Sequence, residues 1–533
     1  MAALWYTLAL LSLASATTVD LGYSKYEGST VSGVTQWLGM RFAAPPVGAL
    51  RFAAPQDPLP VEGIQQATAH GSVCIPTAAA EGLPVPNGTS EDCLFLDVYA
   101  PSGAAGSKSL PVYFYIQGGG FAQNSNANYN GAGLIKASGD NIVVVTFNYR
   151  VGPYGFLAGE EVDARASLNN GLKDQRKALQ WVHDHISQFG GNPKHVVIGG
   201  SSAGAASVTL MLSAYGGKDE GLFIGAAAES QSFATMLNVS QSQFAYNALT
   251  SATGCSSSKD TLACLRDLDV NLLQQKNINR PYPGFTDAPL YLYSPTIDED
   301  LVPDHTYKLF HEGKFIKVPV IFGDDTNEGT KFVTKSIASV EAADAFLHNQ
   351  FPYMTPAQTS TINSIYLTPN QTESFPDAGA YWRPASTAYG EIRYICPGID
   401  MSSIYAKAGI PSWNYHYAVQ DPTNETSGEG TYHTVELNAI WGPENSGNNA
   451  PASYYNTNAP IIPLMQAYWT SFIVSLDPNA RRLPTSPEWE RWEQGGGYRR
   501  IFIRTGETKM ETVSKEQQAR CRYLVSIGED LTQ

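Results

Sequence analysis

The chain has 533 residues, of which 43% are hydrophobic and 11% aromatic, enough to bury a large core and too apolar for a disordered protein. Its 34 lysine and arginine residues against 49 aspartate and glutamate residues leave a formal net charge of −15. That sign opposes binding to nucleic-acid phosphates or anionic lipid, so we expect an acidic globular protein with no nucleic-acid partner.

The N-terminal segment carries an uncharged apolar run from Ala2 to Leu13, followed by the small residues Ala14-Ser15-Ala16. A run of this length that ends in a small-x-small site is typical of a cleaved secretory signal. No later stretch reaches about 18 unbroken apolar residues, so we expect no stable insertion into a membrane. The sequence predicts a signal peptide over residues 1–16 and a secreted mature chain over residues 17–533.

Six cysteines fit a secreted protein, because an even number in an oxidising compartment favours disulfides. Their spacing alone leaves the pairing open. Four Asn-X-Ser/Thr sequons are predicted glycosylation sites, at Asn87, Asn238, Asn370 and Asn424.

Short apolar runs recur along the chain and predict buried strands. They lie at residues 111–117 (PVYFYIQ), 141–149 (NIVVVTFNY), 195–200 (HVVIGG), 318–323 (VPVIFG) and 413–419 (WNYHYAV). Between two of them, residues 172–189 place mostly apolar side chains at steps of three and four, which predicts an amphipathic helix. Strands alternating with helices indicate an α/β fold with a mostly parallel sheet. Because no repeat or linker divides the chain, we expect a single domain over residues 17–533.

A glycine- and serine-rich stretch follows the strand at residues 195–200, in "HVVIGGSSAGAASVTLML". Glycines at a sheet edge often serve only close packing. Between a strand and a helix, however, Gly-x-Ser-x-Gly is typical of a sharp turn that exposes a nucleophilic serine. The motif therefore makes Ser202 a candidate nucleophile, provided that the chain also supplies a base and an acid.

A serine hydroxyl needs a histidine base, and in this arrangement the partners follow in the order serine, acid, histidine. Among the histidines after Ser202, His416 lies inside a predicted strand and is expected to be a core or ladder residue. His433 follows a polar loop, "GEGTYHTVEL", and is the better base. The acid stays open from the residues alone, since Asp324, Asp325 and Glu328 all follow one predicted strand. Asp324 and Asp325 would otherwise form an ordinary solvated turn.

The triple glycine after the first strand, in "YIQGGGFAQNS", would supply amide donors for an oxyanion. The amide of Ala203, directly after the serine, would complete such a hole. A phosphate-binding loop is disfavoured because neither Gly-Lys-Ser/Thr nor G-x-G-x-x-G is present. No metal-binding spacing such as His-Glu-x-x-His occurs either, so we expect no metal site.

Taken together, the sequence blocks resemble the type-B carboxylesterase and lipase family, which includes cholinesterases and secreted fungal lipases. The resemblance spans most of the mature chain and is carried in order by blocks that include "EDCLFLDVYAP", "IQGGGFAQNSNANYNG", "FNYRVGPYGFL", "GGSSAGAASV", "DDTNEGT" and "YHTVELNAIWG". It implies an α/β-hydrolase fold with a large, mostly parallel sheet flanked by helices and with loop insertions over the active site.

The resemblance also implies roles for individual residues. The family's acid stands in a turn ending in Glu-Gly, which corresponds to Glu328, and its histidine corresponds to His433. Its oxyanion donors correspond to Gly119, Gly120 and Ala203. The implied disulfides are Cys74 with Cys93, Cys255 with Cys264, and Cys396 with Cys521.

Two departures from the family pattern bear on the substrate. Ser201 stands where relatives usually carry glutamate, so a charge that favours cationic substrates is missing. The loop between Cys74 and Cys93 lacks Trp, Phe and Tyr, which argues against a cholinesterase and makes a poor interfacial lid.

We therefore predict a secreted serine hydrolase of short or soluble carboxylic esters, with Ser202, His433 and Glu328 as its catalytic residues. The expected partner is a small-molecule ester, and no cofactor is required; the oligomeric state is open. A lipase of triglycerides or sterol esters is the alternative within enzymes. An inactive adhesion or binding protein on the same fold is the alternative outside them.

Overall fold

The computed structural model describes residues 17–125, 129–447 and 450–533. The predicted signal peptide, residues 1–16, lies outside these ranges. Within them the main sheet has 13 strands, in the order β1-β2-β3-β7-β9-β8-β10-β11-β12-β13-β14-β15, with β4 paired to β2. The strands are β1 (Thr17–Asp20), β2 (Lys25–Val31), β3 (Val34–Arg41), β4 (Ile64–Gln66), β5 (Val73–Cys74), β6 (Thr89–Ser90), β7 (Phe95–Pro101), β8 (Leu110–Ile116), β9 (Val143–Phe147), β10 (Gly191–Ser201), β11 (Gly225–Glu229), β12 (Val320–Asp325), β13 (Ser412–Tyr417), β14 (Arg499–Ile503) and β15 (Lys509–Thr512).

The seven strands from β9 to β14 in the sheet order are parallel to one another, whereas antiparallel strands lie at both ends. Helices connect and flank them. The α-helices are α1 (Ala132–Ala137), α2 (Gly152–Phe156), α3 (Glu160–Arg165), α4 (Asn170–His185), α5 (Ala203–Gly217), α6 (Val239–Ala252), α7 (Thr261–Asp267), α8 (Val270–Lys276), α9 (Thr306–His311), α10 (Val340–Gln350), α11 (Pro356–Tyr366), α12 (Trp382–Gly390), α13 (Cys396–Lys407), α14 (Pro422–Ser427), α15 (Leu437–Ile440), α16 (Ile461–Ser475) and α17 (Lys515–Ser526). A π-helical turn (Glu391–Ile395) joins α12 to α13, and short 3-10 helices lie at Gly48–Leu50, Ile186–Phe189, Cys255–Ser257, Pro369–Gln371, Ala452–Tyr455 and Gln494–Gly496.

All five predicted strands are present, and the mostly parallel α/β sheet is confirmed. Strand β8 is apolar on both of its faces because both faces are buried. Val112, Phe114 and Ile116 pack into the core on one side of the sheet, and Tyr113 and Tyr115 pack into the core on the other. Burial on both faces is what parallel strands covered by helices require.

The predicted amphipathic helix is also present, as α4 followed by the 3-10 turn Ile186–Phe189. Its apolar stripe, including Leu172, Leu179 and Val182, is buried, so the helical periodicity predicted both the helix and its buried face correctly. A third apolar cluster lies among α10, α11, α12 and α13 and includes Trp382, Tyr389 and Tyr394. This helical insertion contributes side chains to the site described below.

Three disulfides connect Cys74 with Cys93, Cys255 with Cys264, and Cys396 with Cys521, the pairs that the resemblance implies. The described ranges contain no free cysteine. No helix in the same ranges combines the length and the apolar character needed to cross a membrane.

Candidate active site

Ser202 stands on a sharp turn between β10 and α5, with φ 58° and ψ −121°. A non-glycine residue with this backbone is strained, a feature that clusters at functional sites. Both flanking glycines are needed for the turn. A Cβ atom at Gly200 would lie 2.6 Å from the carbonyl oxygen of Gly204, and one at Gly204 would lie 1.9 Å from that of Ile116. The two glycines therefore let the backbone pack closely, and the same turn presents the side chain of Ser202.

The glycine loop after β8 packs directly against this turn. A Cβ atom at Gly118 would come within 2.9 Å of the Ser202 Cβ atom. Gly119 and Gly120 have φ values of 118° and 63°, which favour glycine. The ring of Tyr291 covers Gly120, where an added Cβ atom would lie only 2.0 Å from a ring carbon. The loop is thus held beside the first turn of α5, whose free amides begin at Ala203.

His433 and Glu328 meet beside the carboxyl end of β12. The Nδ1 atom of His433 is hydrogen-bonded to the Oε2 atom of Glu328, and the two residues are only 8% and 1% exposed. The other oxygen of Glu328 accepts a hydrogen bond of 2.8 Å from the Asp325 amide. The Nε2 atom of His433 has no hydrogen-bond partner among the described residues, Ser202 included. The structure brings the predicted base and Glu328 together.

Asp324 and Asp325 do not form a solvated turn. Both are buried, and that alternative is wrong because β12 continues through Asp324 and Asp325, which pair in register with His416 and Tyr417 of β13. The Oδ2 atom of Asp325 lies 3.3 Å from the Ser230 hydroxyl and accepts a 3.2 Å hydrogen bond from the Val435 amide. Asp325 therefore supports the loop that carries His433.

Glu436 completes this support. Its Oε1 atom lies 3.2 Å from the Ser230 hydroxyl, which also accepts a hydrogen bond from the Thr434 amide. Burial, together with the charge of Glu436, raises the pKa of Asp325 well above its usual range. Burial likewise raises the pKa of Glu436. Asp325 and Glu436 thus support the His433 loop together, through their shared contact with the Ser230 hydroxyl.

Aromatic rings surround the imidazole of His433. Its ring centroid is 5.0 Å from that of Phe332 and 4.5 Å from that of Tyr394. Phe332 also contacts Tyr291, at 6.5 Å between centroids. These rings connect the base to the glycine loop, because Tyr291 in turn covers Gly120.

Ser201 is buried, and its backbone pairs in register with Glu229 on β11. The Tyr115 hydroxyl donates a 2.9 Å hydrogen bond to the Ser201 hydroxyl. Tyr113 and Trp469 donate to Glu229, at 2.8 Å and 2.7 Å. A carboxyl group thus lies beside the position where relatives carry glutamate. Burial raises the pKa of Glu229 to about 8, so this group is neutral at lower pH.

Glu229 also fixes the nucleophile turn, because its carbonyl oxygen accepts a 3.0 Å hydrogen bond from the Ser202 amide. Sequence reasoning missed Glu229, Ser230 and Arg393, described below, since each acts across strands or helices distant in sequence. His416 lies in the ladder of β13, as predicted, but it is half-buried rather than in the core, and it contacts Glu511 and Thr326. No cluster of potential metal ligands occurs within residues 17–125, 129–447 and 450–533.

The predicted glycosylation sites lie on the surface to different degrees. Asn87, Asn238 and Asn370 are exposed, and Asn424 is half-buried. Glycosylation itself stays a prediction.

Comparison with known proteins connects this geometry to a family. The family model described as the carboxylesterase family matches residues 15–523. Secreted lipase 1 of Botryotinia fuckeliana is 31% identical, with 90% of this chain and 88% of the relative covered. Secreted lipase 4 of Gibberella zeae is 29% identical, with 92% and 90% covered. The crystal structure of Aspergillus niger EstA superimposes with a TM-score of 0.93 at 44% identity, covering 97% of this chain and 99% of that one.

Proposed function

The chain belongs to the carboxylesterase family and is a carboxylic ester hydrolase, and from this premise we propose a secreted serine esterase with Ser202, His433 and Glu328 as its catalytic residues. The observation that carries the proposal is the buried pair of His433 and Glu328 at the same edge of the sheet as the strained Ser202. A base fixed by an acid is what a serine nucleophile requires.

In the proposed acylation step, the Ser202 hydroxyl attacks the ester carbonyl while His433 takes its proton at Nε2. Glu328 holds the Nδ1 side of the ring and stabilises the imidazolium that forms. His433 then returns the proton to the leaving alcohol. Water attacks the acyl-enzyme with the same base, and Ser202 is released. These steps need no cofactor or metal.

The amides of Gly119, Gly120 and Ala203 are the proposed oxyanion donors. Support comes from the glycine loop, which packs against Ser202, and from the start of α5 at Ala203. Each such donor is typically worth about 3 kcal/mol in the transition state.

Short or soluble esters are the proposed substrates. The loop of residues 75–92 would have to serve as a lid in a lipase, but it is tied down. The Ala78 amide donates to Asn277 O and the Gly82 amide to Gln275 O, both at 2.8 Å, and Lys276 pairs with Glu81. These contacts, and the absence of Trp, Phe and Tyr from the loop, support a fixed rim. The printed names of the fungal relatives favour a lipase as the second candidate.

The proposal extends to location and organisation. A signal peptide over residues 1–16, a single catalytic domain over residues 17–533 and glycosylation at the four sequons together describe a secreted protein. The disulfides and the names of the secreted relatives support this location. An inactive binding protein on this fold would be expected to lose a catalytic residue, and all three are present.

A fluorophosphonate probe tests the enzyme reading. We expect covalent labelling of the native protein that is lost in Ser202→Ala, with Ser201→Ala as the matched control that keeps it. Absence of labelling in the native protein would support the inactive protein, and labelling that survives in Ser202→Ala would refute Ser202 as the nucleophile. A chain-length series of p-nitrophenyl esters, below and above the solubility limit, separates esterase from lipase. A rate jump at the interface with long acyl chains would favour the lipase.

A further inference from the structure

Arg393 is a buried cation close to the candidate active site. It lies in the π-helical turn Glu391–Ile395 and is 5% exposed. Its Nε atom has no hydrogen-bond partner among the described residues, and no described carboxylate pairs with its guanidinium. The neighbouring acid, Glu391, is occupied by Arg520, at 2.6 Å. Burying a charge in this way is unfavourable unless something compensates it.

The other buried arginines of the described ranges differ from Arg393 in this respect. Arg51 pairs with Glu91 at 2.5 Å, Arg150 with Asp174 at 2.7 Å, and Arg500 with Glu511 at 2.6 Å. The fold thus supplies a carboxylate wherever it buries an arginine for structural reasons. Arg393 is the exception, which indicates that its counter-ion comes from outside the chain.

Tyrosine rings surround the guanidinium. Its central carbon lies 5.3 Å from the ring centroid of Tyr291 and 5.8 Å from that of Tyr394. The hydroxyl of Tyr389, which packs near Tyr394, is buried without a described hydrogen-bond partner. Ring faces stabilise a cation only in part, and the Nε–H group of the guanidinium has no hydrogen-bond partner among the described residues. The surroundings can hold the charge but do not neutralise it.

The same two rings connect Arg393 to the reacting groups. Tyr291 covers Gly120, a proposed oxyanion donor, and Tyr394 contacts His433 at 4.5 Å between ring centroids. Only one ring therefore separates the guanidinium from each of these groups.

We propose that Arg393 is an anion subsite of the substrate pocket and selects esters that carry a carboxylate. This inference rests on the proposed function, since it needs Ser202 as the nucleophile. A guanidinium presents paired N–H groups that match the two oxygens of a carboxylate, and the bond is strongest where water is excluded. The carboxylate stands on either the acyl or the alcohol side of the ester.

Matched ester pairs test the subsite and identify the side. On the acyl side, the p-nitrophenyl monoester of adipic acid is compared with p-nitrophenyl hexanoate, and the suberic monoester with the octanoate. On the alcohol side, 4-acetoxybenzoate is compared with 4-acetoxybenzamide. In the native protein we expect kcat/KM to be about tenfold or more higher for the carboxylate member of at least one pair. Equal or lower values for the carboxylate member in every pair would overturn the inference.

Two variants of Arg393 assign the preference to this residue. Arg393→Met should lower the ratio of kcat/KM for the carboxylate ester to kcat/KM for its neutral partner about tenfold, and Arg393→Lys should keep part of this preference. A preference that is unchanged in Arg393→Met would contradict the assignment. If that variant does not fold, the native ratios and Arg393→Lys decide.

Thermal unfolding separates binding from a structural role. Arg393→Met should keep or raise Tm because it removes an unpaired buried charge. The matched control, Arg500→Met, should lower Tm because it leaves Glu511 without its arginine. A large fall of Tm in Arg393→Met would indicate a structural arginine instead. Failure of the native protein to hydrolyse neutral esters would refute the proposed function rather than the subsite.

Discussion

Replacing Glu229 by glutamine should change how stability depends on pH. Glu229 is fully buried beside the nucleophile turn and accepts hydrogen bonds from Tyr113 and Trp469 through one oxygen. Its other oxygen has no described partner. Burial raises the pKa of Glu229 from 4.5 to about 8, and the charge of Glu436 adds to this rise, whereas the two hydrogen bonds oppose it.

The direction in which stability changes with pH follows from proton binding to Glu229. Between these two pKa values the folded protein holds a proton on Glu229 that the unfolded chain has released. The stabilisation is therefore complete below about pH 4.5 and is lost as pH rises to about 8. The full loss in the native protein amounts to about 5 kcal/mol as an upper bound. Glutamine stays neutral at every pH, so the Glu229→Gln variant does not show this loss of stability.

Urea unfolding of both proteins, followed by tryptophan fluorescence from about pH 5 to about pH 9, measures the effect. The free energy of unfolding of Glu229→Gln, relative to the native protein, should rise by about 2 to 5 kcal/mol across this range. Glu62→Gln, at an exposed position, is the control and should show no such rise. A difference between Glu229→Gln and the native protein that is constant with pH would refute the assignment of a buried, protonated Glu229.

Two further substitutions test the site. Glu328→Gln should lower kcat for p-nitrophenyl esters by about 10³- to 10⁴-fold with little change in KM, because His433 loses its orienting charge; a fall of only a few-fold in steady-state assays would contradict that role. Gly204→Ala should destabilise the protein by about 2 kcal/mol or more, because the new Cβ atom meets the Ile116 carbonyl oxygen at 1.9 Å. Calorimetry measures this second effect, and an unchanged Tm would show that the turn can relax.

Local pattern was sufficient for much of this architecture. The strands and α4 were predictable because burial on both faces of a parallel strand, or on one stripe of a helix, leaves a direct trace in residue order. The turn at Ser202 was predictable for the same reason, since strand, small residues and helix follow one another within one stretch of chain.

The partners of these elements were harder to predict. Spacing could not separate Glu328 from Asp324 and Asp325, because all three stand close together in sequence at the carboxyl end of one strand. Where β12 ends, after Asp325, decides that Glu328 reaches His433. Glu229 and Arg393 lay beyond sequence reasoning altogether. Their roles depend on a neighbouring strand in one case and on a helical insertion packed against the glycine loop in the other.

Acyl-enzyme formation at Ser202 tests the central claim most directly. The protein is mixed rapidly with a p-nitrophenyl ester and quenched in acid, and the acylated peptide is located by mass spectrometry. We predict a burst of one nitrophenol per protein and an acyl group on Ser202, both absent from Ser202→Ala. An acyl group on another residue, or steady hydrolysis that persists in Ser202→Ala, would contradict the account.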